Sequence, residues 1–114
     1  MPYIETKVST PITAEQETIL KEKLGTAIEN FPGKTERWLM LNFEDNCRLW
    51  FMGNQDAPTA YVEVKLFGDV NPAGAEKMTK AVCEIMEEVL HIPADRTYVK
   101  YEGIGTWGWN NQNF

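Results

Sequence analysis

Two hydrophobic periods alternate along the chain. Pro2-Tyr3-Ile4-Glu5-Thr6-Lys7-Val8 alternates with period two, which predicts a strand whose first residue is a proline with no N–H to give the ladder. Thr10-Pro11-Ile12 breaks it. Thr13 with Gln16 three residues on has the capping-box form. Leu20, Leu24, Ala27, Ile28 and Phe31 follow at helical spacing, and Pro32-Gly33 predicts the stop. Trp38 to Phe43 alternates as a second strand. Glu44-Asp45-Asn46 has the residues of a hairpin turn into a short strand around Arg48 to Met52, and a loop runs from Gly53 to Pro58. The second half opens on a strand from Tyr61 to Phe67. Asn71-Pro72 is a helix start, cap then first-turn proline. Ala75, Met78, Val82, Ile85, Met86 and Val89 form its buried stripe, Pro93 ends it, and Thr97 to Tyr101 is the last full strand. The tail from Gly103 to Phe114 holds two tryptophans and carries no charge after Glu102.

The two halves repeat. Tyr3-Ile4-Glu5-Thr6-Lys7-Val8 matches Tyr61-Val62-Glu63-Val64-Lys65-Leu66 at an offset of 61 − 3 = 58, and the proposed caps Thr13 and Asn71 share it. Glu36-Arg37 matches Asp95-Arg96 at 95 − 36 = 59. The chain therefore reads as an α+β domain over 1–114, with halves of about 1–57 and 58–114. Each half is a right-handed β-α-β unit with a parallel strand pair. Side by side they make a four-stranded mixed sheet with both helices on one face. The other face is left bare with alternating apolar residues, which implies oligomerisation.

Composition narrows the function classes. At 114 residues, one core is the natural expectation. Net charge is −6 with no Lys/Arg cluster, which argues against a nucleic-acid partner. No apolar run approaches the roughly 18 residues of a membrane span, and no charged-then-apolar leader opens the chain, so neither membrane insertion nor a secretory signal is expected. Cys47 and Cys83 lie far apart without a C-x-x-C, so no disulfide, zinc or dithiol chemistry is expected; Cys83 falls on the apolar side of its helix. His91 has no Cys or His nearby; it reads as a helix-terminal residue at the negative end of the dipole, not a metal ligand. No metal or cofactor is implied. One candidate base remains. If Met1 is cleaved, Pro2 presents a secondary amine that no side chain supplies. Position alone fits equally a proline that starts a strand.

Further matches run end to end. They are Met1-Pro2 opening a strand, Gly33-Lys34 after the first helix, Phe67-Gly68 closing the third strand, Pro93-Ala94-Asp95-Arg96-Thr97-Tyr98 before the last strand, and Gly108-Trp109-Asn110-Asn111 with Phe114 at the end. With these the chain resembles the macrophage migration inhibitory factor and D-dopachrome tautomerase family of the tautomerase superfamily. The resemblance implies the doubled β-α-β fold, a homotrimer whose sheets form a central barrel, and a pocket at the subunit interface. It also implies keto–enol tautomerisation of a small anionic keto or enol acid of the phenylpyruvate or dopachrome type.

The resemblance assigns roles by position. Pro2 is the general base, and Lys34 meets the substrate carboxylate and developing enolate. Phe67, in place of a family isoleucine, offers its backbone N–H; its side chain reads equally as core. Trp38, Trp107, Trp109 and Phe114 line the pocket, although Trp107 fits the core or the interface as well. Tyr98 and Lys100 reach the site from a neighbouring subunit, Lys100 replacing an asparagine of the mammalian cytokine. That cytokine's C-x-x-C reads Thr59-Ala60-Tyr61-Val62 here, so thiol-oxidoreductase activity is not carried over. No arginine stands near Pro2 in sequence, which weighs against a haloacrylate dehalogenase; one brought in by the fold stays open. The competing classes are a cytokine-like ligand of a cell-surface receptor, exported without a leader, and an assembly module without activity. A cytoplasmic enzyme is the primary expectation.

Overall fold

The computed structural model describes residues 1–114. In chain order come β1 (Pro2–Val8), α1 (Ala14–Ala27), β2 (Met40–Glu44), β3 (Ala60–Phe67), α2 (Pro72–Leu90) and β4 (Thr97–Ile104). A tail hairpin pairs β5 (Gly108–Trp109) with β6 (Gln112–Asn113). The sheet order is β2-β1-β3-β4, parallel at both edges and antiparallel in the middle. This is the doubled β-α-β arrangement the repeat predicts. Both helices cover one face, and one apolar cluster joins them to the strands through residues such as Ile4, Val64, Leu24 and Met86, none of which is exposed. Burial of each such side chain contributes about 1.5–3 kcal/mol.

Both helix starts follow their sequence signals. The Thr13 hydroxyl accepts from the Gln16 N–H at 3.1 Å, and the Gln16 side chain accepts from the Thr13 N–H at 2.9 Å. Asn71 accepts from the Gly74 N–H at 2.7 Å, with Pro72 in the first turn. The stops come earlier than the prolines. The Asn30 side chain donates to the Ala27 carbonyl at 2.9 Å, and the chain tightens to a 3-10 turn at Ile28–Asn30. Past α2, His91 turns left-handed at φ 57°, and the Ile92 N–H closes on the Met86 carbonyl at 3.2 Å. That terminates the helix before Pro93 is reached.

Four expectations need correction. The bare sheet face is not apolar. Ile4, Val8, Val62, Val64 and Leu66 all turn under the helices, and the alternation leaves Glu5, Lys7, Glu63, Lys65 and Lys100 on the other side. There the Tyr61 hydroxyl donates to Glu63 at 2.6 Å, and Lys65 lies 3.5 Å from the same carboxylate. That hydrogen bond, with burial and the charges of Glu63 and Glu5, pushes the Tyr61 phenol up to about 12. Second, Trp38 sits in a 3-10 turn (Glu36–Trp38), and β2 starts only at Met40. Third, no strand forms over Arg48 to Met52; the segment makes only a single antiparallel bridge, Phe51 with Asn54, whose N–H groups donate to each other's carbonyls at 3.0 and 3.1 Å. The would-be turn bonds elsewhere: Asn46 N–H to the Thr10 carbonyl at 3.1 Å and Cys47 N–H to the Val8 carbonyl at 2.9 Å. Fourth, the strand registers (Tyr3 opposite Met40, Tyr61 opposite Tyr98) fix one offset, 61 − 3 = 98 − 40 = 58. The repeat counterpart of Arg96 is therefore Trp38, not Arg37.

Arg96 explains why the segment after Cys47 stays irregular yet ordered. The residue is buried, 8% exposed. It donates to the Thr59 hydroxyl at 3.0 Å, the Phe51 carbonyl at 3.3 Å, and the Asn54 side-chain and backbone oxygens, both at 3.2 Å. It also stacks on the Phe51 ring at 5.4 Å. The loop residues Met52 and Gly53 take positive φ within this clamp. Arg96→Met should lower unfolding free energy by about 3 kcal/mol, since several buried oxygens lose a charged donor at once. Urea denaturation measures this, and a loss below 1 kcal/mol would show that the clamp is not holding the loop.

Candidate active site

The site is built around the start of β1. The antiparallel register places Pro2 opposite Leu66, so the last rung of the ladder is the Phe67 N–H donating to the Met1 carbonyl at 3.0 Å. Pro2 is buried, and Met1 is half-buried. Gly33, at φ 77°, makes the turn that presents Lys34, a conformation glycine adopts without strain. The Lys34 ammonium donates to the Phe67 carbonyl at 3.1 Å. Both backbone groups of Phe67 are thus engaged, one by Met1 and one by Lys34. The N–H expected to face a substrate is occupied while Met1 is present, and loss of Met1 would free it beside the Pro2 nitrogen.

The electrostatics of this corner favour a neutral amine. Burial first, then the Lys34 charge and its hydrogen bonding, hold the amino terminus below its ordinary value. Desolvation and a nearby cation both penalise an ammonium.

Beside Pro2 opens a cleft of about 580 Å³ whose walls include Arg37, Trp38, Met40, Trp107 and Trp109. Its aromatic wall is continuous. Trp38 meets Trp109 edge to face at 5.1 Å, Trp109 lies nearly parallel to Phe114 at 6.3 Å, and Phe114 packs on Phe67 at 5.5 Å. The tail hairpin holds this wall in place. Asn110 and Asn111 both take left-handed φ at its turn, and the Phe114 N–H closes on the Trp107 carbonyl at 3.0 Å. Two consecutive left-handed residues match the twist of a two-residue hairpin.

The fold therefore gathers Pro2, Lys34, Phe67, Trp38, Trp107, Trp109 and Phe114 around one end of the sheet. Lys34 and Phe67 bond beside the amino terminus, and Phe114 links Phe67 to Trp109, so these three back the aromatic wall without lining the cleft itself. Tyr98 and Lys100 are not brought there by their own chain. They lie on β4, two strands from β1. Tyr98 packs edge-on against Phe51 at 4.9 Å, and Lys100 stands opposite Glu63. The sequence reading missed Arg37. Its guanidinium lies 5.0 Å from the Trp38 ring and lines the cleft with Pro2. The signal was available in the parallel register, which runs the segment before Met40 alongside the start of β1.

The family model described as "Macrophage migration inhibitory factor (MIF)" matches residues 1–113. A crystal structure of Leishmania major MIF2 is 32% identical, with a TM-score of 0.93 covering 100% of this chain and 97% of that one. A macrophage migration inhibitory factor homologue from Prochlorococcus marinus is also 32% identical, with a TM-score of 0.82 and 98% of each chain covered. Macrophage migration inhibitory factor of Rattus norvegicus is 25% identical over 116 residues, which span 100% of this chain and 99% of that protein.

Replacing Lys34 by Met should raise the pKa of the terminal amine towards 8, its value in model peptides, because a neighbouring cation is removed while burial remains. The rate of amine modification by an electrophile, followed against pH, reads this shift. An unchanged midpoint would mean that Lys34 does not tune the amine.

Proposed function

The chain belongs to the macrophage migration inhibitory factor family, and from that premise we propose that it is a keto–enol tautomerase, an isomerase that uses Pro2 as general acid and base once Met1 is removed. The observation that carries this reading is the environment of the amino terminus: partly buried, beside Lys34, at the edge of an aromatic cleft. A general base works best with a pKa near the working pH, and this corner lowers an amine that already begins near 8. The substrate class is a small anionic keto or enol acid with a flat aryl group, of the phenylpyruvate or dopachrome type. The tryptophan wall supplies a surface for such a ring.

The mechanism follows from the groups present. Neutral Pro2 takes the proton from the carbon next to the carbonyl, or from the enol hydroxyl, and the resulting prolinium returns it at the other position. Negative charge gathers on the carbonyl oxygen in between. Lys34 and the freed Phe67 N–H are the donors suited to stabilise it. The base must be neutral to act, so kcat/KM rises with pH through the lowered pKa and levels above it.

Family resemblance further implies a homotrimer, in which Tyr98 and Lys100 of each subunit complete a neighbour's pocket. The exposure of Tyr98, 61% in the isolated chain, suits a residue that is covered on assembly. Pro2→Gly should lower kcat/KM for phenylpyruvate by about 100-fold or more, the usual contribution of a positioned base, with the trimer intact by sedimentation. Unchanged turnover, or active protein that retains Met1 by intact-mass measurement, would defeat the proposal.

A further inference from the structure

We propose that the cleft selects dianionic substrates, aryl 2-keto acids that carry a second carboxylate at the far end of the ring, and that Arg37 is the residue that receives it. Lys34 keeps the carboxylate of the keto acid itself. The inference rests on the tautomerase reading above and narrows its substrate class.

Three observations carry it. First, the two cations stand on opposite sides of Pro2. Pro2 opens β1, which lies between β2 and β3. The Lys34 ammonium is held at the end of β3, where it donates to the Phe67 carbonyl at 3.1 Å. An ammonium has three N–H donors, so two are left for a carboxylate. Arg37 sits in the turn that leads into β2 at Met40, the residue opposite Tyr3. Neighbouring strands stand about 4.8 Å apart, so the two flanks are roughly 10 Å from each other across β1. Second, Arg37 is unclaimed. It lines the cleft with Pro2, and no acidic residue lines it. Its guanidinium has no carboxylate within ion-pair distance, and the neighbouring Glu36 is engaged by Lys21 at 3.7 Å. Third, the group is oriented. It lies 5.0 Å over the Trp38 ring, and a stacked guanidinium keeps its N–H edges available for a bidentate carboxylate.

A single carboxylate cannot use both flanks. In a 2-keto acid the carboxylate is bonded to the carbonyl carbon, and the carbon that exchanges its proton is the next one along. The aryl ring is attached to that same carbon. With the keto-acid carboxylate on Lys34, the reacting carbon comes to Pro2 and the ring continues along Trp38 and Trp109. A group para on the ring then arrives on the side of Arg37. A carboxylate there takes no part in the proton transfer, and its binding energy serves to position the reacting carbon. The net charge of −6 repels a dianion more than a monoanion, and the unpaired cation offsets that at the cleft.

The test compares 4-carboxyphenylpyruvate with its neutral isostere, 4-carbamoylphenylpyruvate, as substrates of the processed full-length protein. The readout is the ratio of their kcat/KM values. Wild type should favour the carboxylate roughly 10-fold or more, the range for one charge-assisted contact, and chiefly through KM. Arg37→Ala should bring the ratio to about one without moving the pH profile, and Arg37→Lys should retain part of the preference. Lys34→Met should weaken both compounds together and leave the ratio standing, because the carboxylate that Lys34 meets is common to both. The same ratio is read without turnover by calorimetric titration of 3-(4-carboxyphenyl)propanoate and 3-(4-carbamoylphenyl)propanoate, which have no ketone to enolise. The proposal falls if wild type shows no preference for the second carboxylate, if Arg37→Ala keeps the preference, or if Lys34→Met abolishes it. Failure of wild type to turn over these compounds and phenylpyruvate alike would overturn the tautomerase reading instead, with the titrations still deciding Arg37.

Discussion

The antiparallel pairing of β1 with β3 is the constraint on which the rest depends. It runs from Val8 opposite Ala60 to Pro2 opposite Leu66. A chain terminus ordinarily frays, because nothing beyond it holds the last residues. Here β1 is a central strand, flanked by β2 and β3, with Ile4 and Val8 fully buried beneath the helices. The start of β1 is therefore held on both sides, out to the Phe67 N–H bond with the Met1 carbonyl. That rigidity converts an otherwise solvated amine into one with a defined neighbour, Lys34, and a defined wall, Trp38 and Trp109. The cost of the arrangement shows at Thr6, whose hydroxyl is buried in the same strand without a hydrogen-bond partner.

Much of this was legible before any coordinates. Period-two alternation, the Thr13–Gln16 box and the Asn71-Pro72 cap are local signals, and local signals located β1, β3 and both helix starts. The repeat then supplied topology, since two copies of β-α-β leave few ways to assemble. What failed was what depends on non-local bonding. Nothing in Glu44-Asp45-Asn46 announces that Thr10 and Val8 will take its N–H groups, or that Arg96 will gather the oxygens of Phe51 and Asn54. The character of the open sheet face was readable and was misread. Strict alternation already sends Glu5, Lys7, Glu63 and Lys65 to one side, so the apolar residues had to be on the other.

The candidate site divides in the same way. Pro2, Lys34 and the aromatic tail were found because family resemblance marks them by position. Their contacts were not, because the two bonds to Phe67 depend on strand register and on a turn through Gly33. Arg37 escaped because proximity was judged along the chain, whereas a parallel edge strand brings a residue 35 positions away to the same cleft (37 − 2 = 35). Tyr98 and Lys100 mark the boundary of what one chain can express. Their place on the far edge strand, two strands from β1, keeps them out of their own chain's cleft.

The offset of 58 relates two unequal openings, the cleft of about 580 Å³ beside Pro2 and a pocket of about 210 Å³ beside Ala60. Pro2 corresponds to Ala60, Trp38 to Arg96 and Met40 to Tyr98. In the second half, the chain continues backwards from Ala60 through Thr59 into the loop that Arg96 clamps, so the space beside that strand start is narrowed to a pocket of about 210 Å³ with Phe51 and Arg96 in its walls. In the first half, the residue at the Arg96 position is Trp38, which forms a wall instead of a clamp. The donors that Arg96 spends on its own loop have no counterpart there, and the neighbouring Arg37 keeps its donors free. A duplicated scaffold thus yields a braced loop in one half and an open aromatic cleft with an unpaired cation in the other. The difference between the two halves lies in the side chain placed at one equivalent position, Trp38 in the first and Arg96 in the second.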